Sequence, residues 1–93
     1  MIVTFRDKKT QSIWSGEFVR HLPTDIQKTA RRKLRMINNA NSVSDLASPP
    51  SNCLELLKGD KKGYYSIRVN NQWRICFLFE NNNAYEVTIN DYH

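Results

Sequence analysis

From residue 53 onward the chain repeats one device, a run of residues alternating in polarity and closed by a short turn rich in Gly or Asn. Runs at 53–57, 64–69, 73–80 and 84–90 are separated by turns at 58–63, 70–72 and 81–83, all too short to hold a crossover helix. Strands joined in that way pair as an antiparallel meander. Period-two alternation then puts Arg68 and Arg74 on one face of the sheet, beside a carboxyl-terminal Asp91-Tyr92-His93, and sends Ile, Val, Trp and Phe to the other. A sheet with one apolar side and one cationic side bearing Tyr and His suits an anion.

The first half supplies the cover for the apolar side. Residues 2–5 form a β-branched and aromatic run that reads as a strand. Residues 8–19 place Ile13, Trp14 and Phe18 near helical spacing, but Gly16 interrupts them, and the segment reads as a weak or broken helix. Residues 24–40 carry the clearest helical period, with Ile26, Ala30, Leu34 and Ile37 on one stripe, Thr24 as a cap and Asp25 in the first turn. An Asn-, Ser- and Pro-rich connection follows, with a helical turn at 43–46 and then the extended Pro49-Pro50. The expected fold is α+β: two amino-terminal helices packed on one face of a mostly antiparallel sheet of four to five strands.

A chain of 93 residues makes one domain, 1–93, with a single core, so an active site must lie on the surface of one small sheet. Fourteen Lys and Arg against nine Asp and Glu give a net charge of +5, which favours nucleic acid, an acidic protein or an anionic membrane surface. The chain has no run of about 18 apolar residues and no basic-then-apolar leader, which points to the cytosol rather than a membrane. Cys53 and Cys76 fall in expected strands without Cys-x-x-Cys spacing or a His cluster, so both read as reduced packing residues, and neither a metal nor a cofactor is expected.

Matching apolar positions across the 70–72 turn sets Ile67 opposite Ile75 and Arg68 opposite Arg74. Two facing guanidiniums repel unless an anion or carboxylate lies between them. A phosphate and an internal partner such as Glu55 or Glu86 both satisfy that requirement. Matching Phe77 to Val87 and Ile75 to Ile89 brings Asn90 opposite Arg74, with Tyr92 beside it. His93 can exchange protons near neutral pH, Tyr92 can stack on a base, and Asp91 can orient a partner. Lys58 stands at the lip of the turn before the Tyr64 strand, within reach of a phosphate oxygen, and Glu55 is a candidate base on the same edge. Lys28, Arg31, Arg32 and Arg35 on the long helix, with Arg68, are candidates for tracking an RNA backbone. His21, in a polar loop, reads as a surface residue.

Leu56-Leu57-Lys58-Gly59-Asp60, Tyr65-Ser66-Ile67-Arg68-Val69, Trp73-Arg74-Ile75-Cys76-Phe77 and the terminal Asp91-Tyr92-His93, in this order, resemble the HigB toxins of bacterial toxin-antitoxin pairs, within the RelE/ParE superfamily. The resemblance implies a ribosome-dependent mRNA endonuclease that cuts in the 30S decoding site without a metal, the RNA 2′-hydroxyl attacking phosphorus to leave a 2′,3′-cyclic phosphate. It implies that Arg74 and Lys58 stabilise the phosphorane charge, that His93 or Asp91 moves protons and that Tyr92 orients the nucleotide. A HigA-like helix-turn-helix antitoxin is the implied partner, with operator DNA bound only through the complex of the two. Some HigB toxins carry His three positions before the lysine matching Lys58, where this chain has Glu55. Two other readings of the fold and charge are a non-enzymatic ParE-like poison of DNA gyrase and a basic RNA- or ribosome-binding module without chemistry.

Overall fold

A computed structural model describes residues 1–91. Four antiparallel strands, β1 (Glu55–Leu56), β2 (Tyr65–Arg68), β3 (Trp73–Glu80) and β4 (Asn83–Asp91), lie in sequence order across one sheet. Helices α1 (Lys8–Trp14) and α2 (Thr24–Asn39) cover one side of it. The register across β2 and β3 is the one apolar matching sets: Ile67 faces Ile75 and Arg68 faces Arg74, while Ile75 faces Ile89 and Arg74 faces Asn90 across β3 and β4. The amino-terminal segment adds a parallel fifth line along the free edge of β4, through bridges Ile2–Ala84 and Phe5–Val87. That edge is thereby closed to pairing with another chain.

The core is the seam between α2 and the covered face. Ile26, Ala30, Leu34 and Ile37 meet Ile67, Ile75, Phe77, Val87 and Ile89, all nearly solvent-free. Each of these Ile, Leu, Val and Phe side chains contributes about 1.5–3 kcal/mol of transfer free energy, so this seam holds the helices to the sheet. Lys33 is buried on the same helix, where its ammonium donates to Asn52. Asn52 in turn donates to the carbonyls of Leu46 and Ser48, at 3.1 and 3.3 Å. Together they tie the Pro-rich connection to α2.

Several local details depart from the sequence expectation. The first helix ends at Trp14, because Gly16 takes a left-handed φ of +89° that an L-residue resists. Asp7 caps it by accepting from the Thr10 amide at 2.8 Å. At the start of α2, Pro23 rather than Thr24 is the boundary residue, and no side chain caps the first turn. The expected strand at 53–57 shrinks to Glu55–Leu56, since Cys53 adopts φ 48° and is exposed instead of packed in a strand. Phe77 and Val87 do not pair as matched. A bulge between Cys76 and Leu78 makes Glu86, at φ 52°, an extra residue on β4. That single insertion lets Ala84 and Val87, three positions apart, both face the core.

Candidate active site

The side of the sheet away from the helices is built in rows. Glu55, Ser66, Cys76 and Thr88 form one row across β1 to β4, with Arg68, Arg74 and Asn90 in the next. Ser66, Cys76 and Thr88 are nearly solvent-free although no helix lies over them, because long polar side chains fold across these small ones. Burial pushes the Cys76 thiol pKa up, against opposing pulls from Lys61, Arg74 and Arg6. The thiol therefore stays protonated, and the floor carries no charge of its own while three cations surround it. Among the described residues the buried Ser66 hydroxyl makes no hydrogen bond.

Arg74 is the fixed point of this surface. Its side chain is only 12% exposed, one guanidinium nitrogen donates to the Cys53 carbonyl at 2.7 Å, and the other lies 3.8 Å from the Glu55 carboxylate. The left-handed turn at Cys53 is thus where the chain before β1 comes into contact with that guanidinium. Glu55 supplies the internal carboxylate partner anticipated for facing arginines, and it does so for Arg74; Arg68 donates instead to the Asn71 side chain. Glu86 accepts from Thr4 at 3.0 Å and belongs to the bulge.

Lys61 was not picked out by the sequence pattern, and it reaches further over the floor than its neighbours suggest. It ends the 3-10 turn Gly59–Lys61. With the Asn90 amide turned so that its oxygen faces the lysine, the oxygen accepts from Nζ at 2.6 Å and the nitrogen donates to the Ile89 carbonyl at 3.3 Å. The Lys61 ammonium and the Arg74 guanidinium both act on the Cys76 thiol beneath them, the first reaching toward β4 and the second toward β1. Lys58 is exposed at the start of that turn, and shares a cleft of about 490 Å³ with Glu55, Asp60 and Lys61. Arg6 sits over the Tyr64 ring, 6.0 Å from its centroid. A run of three lysines at 58, 61 and 62 in a glycine-flanked turn was the available signal for Lys61, but nothing in period-two alternation says which of them folds inward.

Asp7 closes the far side of the floor, accepting from the Thr88 hydroxyl. Burial raises the pKa of Asp7, but hydrogen bonds from Thr88 and Thr10 and the nearby Lys9 outweigh it, and its carboxyl lies below the usual 3.8.

Other candidates lie elsewhere. Asp91 ends β4 opposite Trp73, accepts from Gln72 at 3.0 Å and, by alternation, shares the side of Ile89 rather than that of Arg74. Arg31 is held to the Ile13 carbonyl at 2.8 Å. Lys28, Arg32 and Arg35 are exposed on α2, across the sheet from Cys76. His21 is exposed as expected. Tyr92 and His93 lie outside the described residues. Among the described residues, no group of three His, Cys, Asp or Glu side chains is placed to hold a metal ion, and no helix is long and apolar enough to cross a membrane.

The sequence and the α+β meander have known counterparts. A sequence model of the HigB-like toxins, described as RelE-like toxins of the type II toxin-antitoxin system HigB, matches residues 3–93. The chain belongs to the HigB-like toxin family. It is 39% identical to Toxin HigB-1 of Vibrio cholerae over 79 residues, covering 83% of this chain and 82% of that one. It is 32% identical to Endoribonuclease HigB of Proteus vulgaris over 93 residues, the full length of both. A Haemophilus influenzae protein of unassigned activity is 40% identical over 79 residues, or 84% and 78% of the two chains. In fold, the chain is similar to the YoeB-YefM complex from Staphylococcus aureus (TM-score 0.63, 17% identity, 100% of this chain and 98% of that one). It is also similar to YafQ from E. coli (TM-score 0.61, 18% identity, 99% and 92%). The chain thus shares its overall fold with these two structures.

Proposed function

We propose that this HigB-like toxin cleaves mRNA on the ribosome and thereby stops translation, using the open face of its sheet as the active surface. The observation that carries the reading is that Arg74 and Lys61 both bear on the same uncharged patch of the open face, at the buried Cys76 thiol. A phosphodiester passing to a phosphorane gains charge on its non-bridging oxygens, and fixed cations aimed at those oxygens stabilise that state more than the ground state. Arg74 is held in place before substrate arrives, so little reorganisation accompanies the reaction.

In this reading the RNA 2′-hydroxyl attacks the adjacent phosphorus, the bond to the 5′-oxygen breaks, and the products are a 2′,3′-cyclic phosphate and a 5′-hydroxyl end. Glu55, ion-paired to Arg74, is the carboxylate on the open face suited to accept the attacking proton. His93 is assigned to protonation of the leaving oxygen, Tyr92 to stacking on the nucleotide, and Lys58 to the phosphate at the mouth of the cleft; Asp91, on the other side of the sheet, is given no part in the chemistry. The domain presents a shallow surface and leaves most substrate positioning to the 30S decoding site. A cytoplasmic site of action and a HigA-like helix-turn-helix antitoxin, through which alone operator DNA is bound, complete the proposal.

Mapping cut sites and 5′-end chemistry on a translated mRNA after induction tests it. Cuts within codons bearing 5′-hydroxyl ends support the reading. Intact mRNA with growth arrest and DNA damage would overturn it.

A further inference from the structure

Three cationic residues without a role in the proposed chemistry line one cleft where α2 passes the end of β2. Arg32 and Lys33 from α2 and Arg68 from β2 line one cleft of about 360 Å³ together with Thr29, Ser51 and Asn70. Among the described residues none of the three is ion-paired to a carboxylate. Neutral amides hold two of them instead, Asn52 for Lys33 and Asn71 for Arg68. Arg74 differs, since Glu55 stands beside it.

Gathering like charges without an acid is unfavourable, and more so when one of them is only 5% exposed, as Lys33 is. Burial, with the neighbouring charge of Arg32, accordingly lowers the Lys33 pKa. The tie from Lys33 to Asn52 accounts for a lysine at that position. It does not account for two arginines at the same mouth. An ammonium has three donors, of which Asn52 takes one, and the guanidinium forks match tetrahedral oxyanions closely. The Ser51 hydroxyl and Asn70 amide add neutral donors.

Position selects the kind of anion. Arg68 is the cross-strand partner of Arg74, so their backbones lie one strand spacing, about 5 Å, apart, close enough for one extended polyanion to engage both residues. We propose that this cleft is a second phosphate site, which holds the phosphodiester neighbouring the one at Arg74 and so sets the direction and register of the strand. The inference rests on reading the open face as the RNA-cleaving surface.

The test is an amide NMR titration of the purified toxin with inorganic phosphate, and then with a trinucleotide whose attacking 2′-hydroxyl is replaced by hydrogen. Both ligands are expected to shift the amides of Ser51, Val69 and Asn70 saturably. Arg32→Gln should weaken binding read at those amides about tenfold, in line with loss of one charge-assisted bond, and Arg32→Lys should restore most of it, which a packing role would not. Silent amides at 51, 69 and 70 in the unsubstituted protein, or equal affinity in Arg32→Gln, would overturn the proposal. Because no ribosome is present, the outcome is separable from the catalytic reading: silent cleft amides with normal mRNA cleavage remove this site alone, and phosphate binding without mRNA cleavage removes the catalytic reading alone.

Discussion

Both faces of the sheet exclude water, but they do so with different chemistry. On the helix side Ile67, Ile75, Phe77 and Ile89 are covered by the apolar stripe of α2. On the other side Ser66, Cys76 and Thr88 are covered by the arms of Arg74, Lys61 and neighbouring polar side chains. Removing a side chain from the first face leaves a cavity. Removing one from the second leaves an opening onto solvent and deletes a charge. The same alternation of residues along β3 therefore assigns stability to one set of positions and phosphate chemistry to the next.

The largest effect that would sharpen this contrast is expected at Phe77. Phe77→Ala should lower the free energy of unfolding by about 3–5 kcal/mol, read by urea denaturation, and abolish activity only through loss of the fold. On the opposite face, Lys61→Met should slow single-turnover mRNA cleavage on programmed ribosomes about ten- to a hundredfold, the worth of a hydrogen bond to a charged group, with little change in the urea midpoint. Lys61→Arg should recover most of that rate. A Lys61→Met protein that cleaves normally would remove the lysine from the site.

Asp7 joins the two faces, capping α1 while it accepts from Thr88. Asp7→Ala should cost about 1 kcal/mol of stability near neutral pH, as lost caps do. The carboxyl is held below 3.8 in the folded state, so its contribution is complete above that value and disappears as pH falls through the lower folded one. The difference between Asp7→Ala and the unsubstituted protein should accordingly narrow in acid, and a difference that widens below pH 3.8 would contradict the assignment. The smallest effect is expected at Lys28, exposed on α2. Lys28→Ala should reduce the salt dependence of ribosome binding by at most about one unit of slope and leave the rate at saturation unchanged. If it slowed the chemical step as much as Lys61→Met, the division between faces would fail.

The parts of the molecule that follow one period were legible in the sequence. The stripe Ile26, Ala30, Leu34, Ile37 located α2 to within a residue, and apolar matching set Arg68 opposite Arg74 and Arg74 opposite Asn90. Where the chain breaks a period, the sequence misled. The bulge at Glu86 and the left-handed Cys53 are single-residue events that alternation cannot foresee, and the second truncates β1 while forming part of the seat for Arg74. Lys33 carried a usable signal, lying three positions after Ala30 on the buried stripe, but its charge argued against burial until Asn52 was seen to receive it. Lys61 carried almost none, because its role depends on a long flexible arm crossing from a turn to β4.

Adjacent residues of β3 allow the most direct test. Arg74 and Ile75 follow one another in the chain and point to opposite sides of the sheet. The single-turnover rate of mRNA cleavage on saturating programmed ribosomes should fall about a hundred- to a thousandfold in Arg74→Ala, the scale of losing one preorganised oxyanion donor, with the protein still folding cooperatively. A folded Arg74→Ala protein that cleaves at the unsubstituted rate would contradict the account.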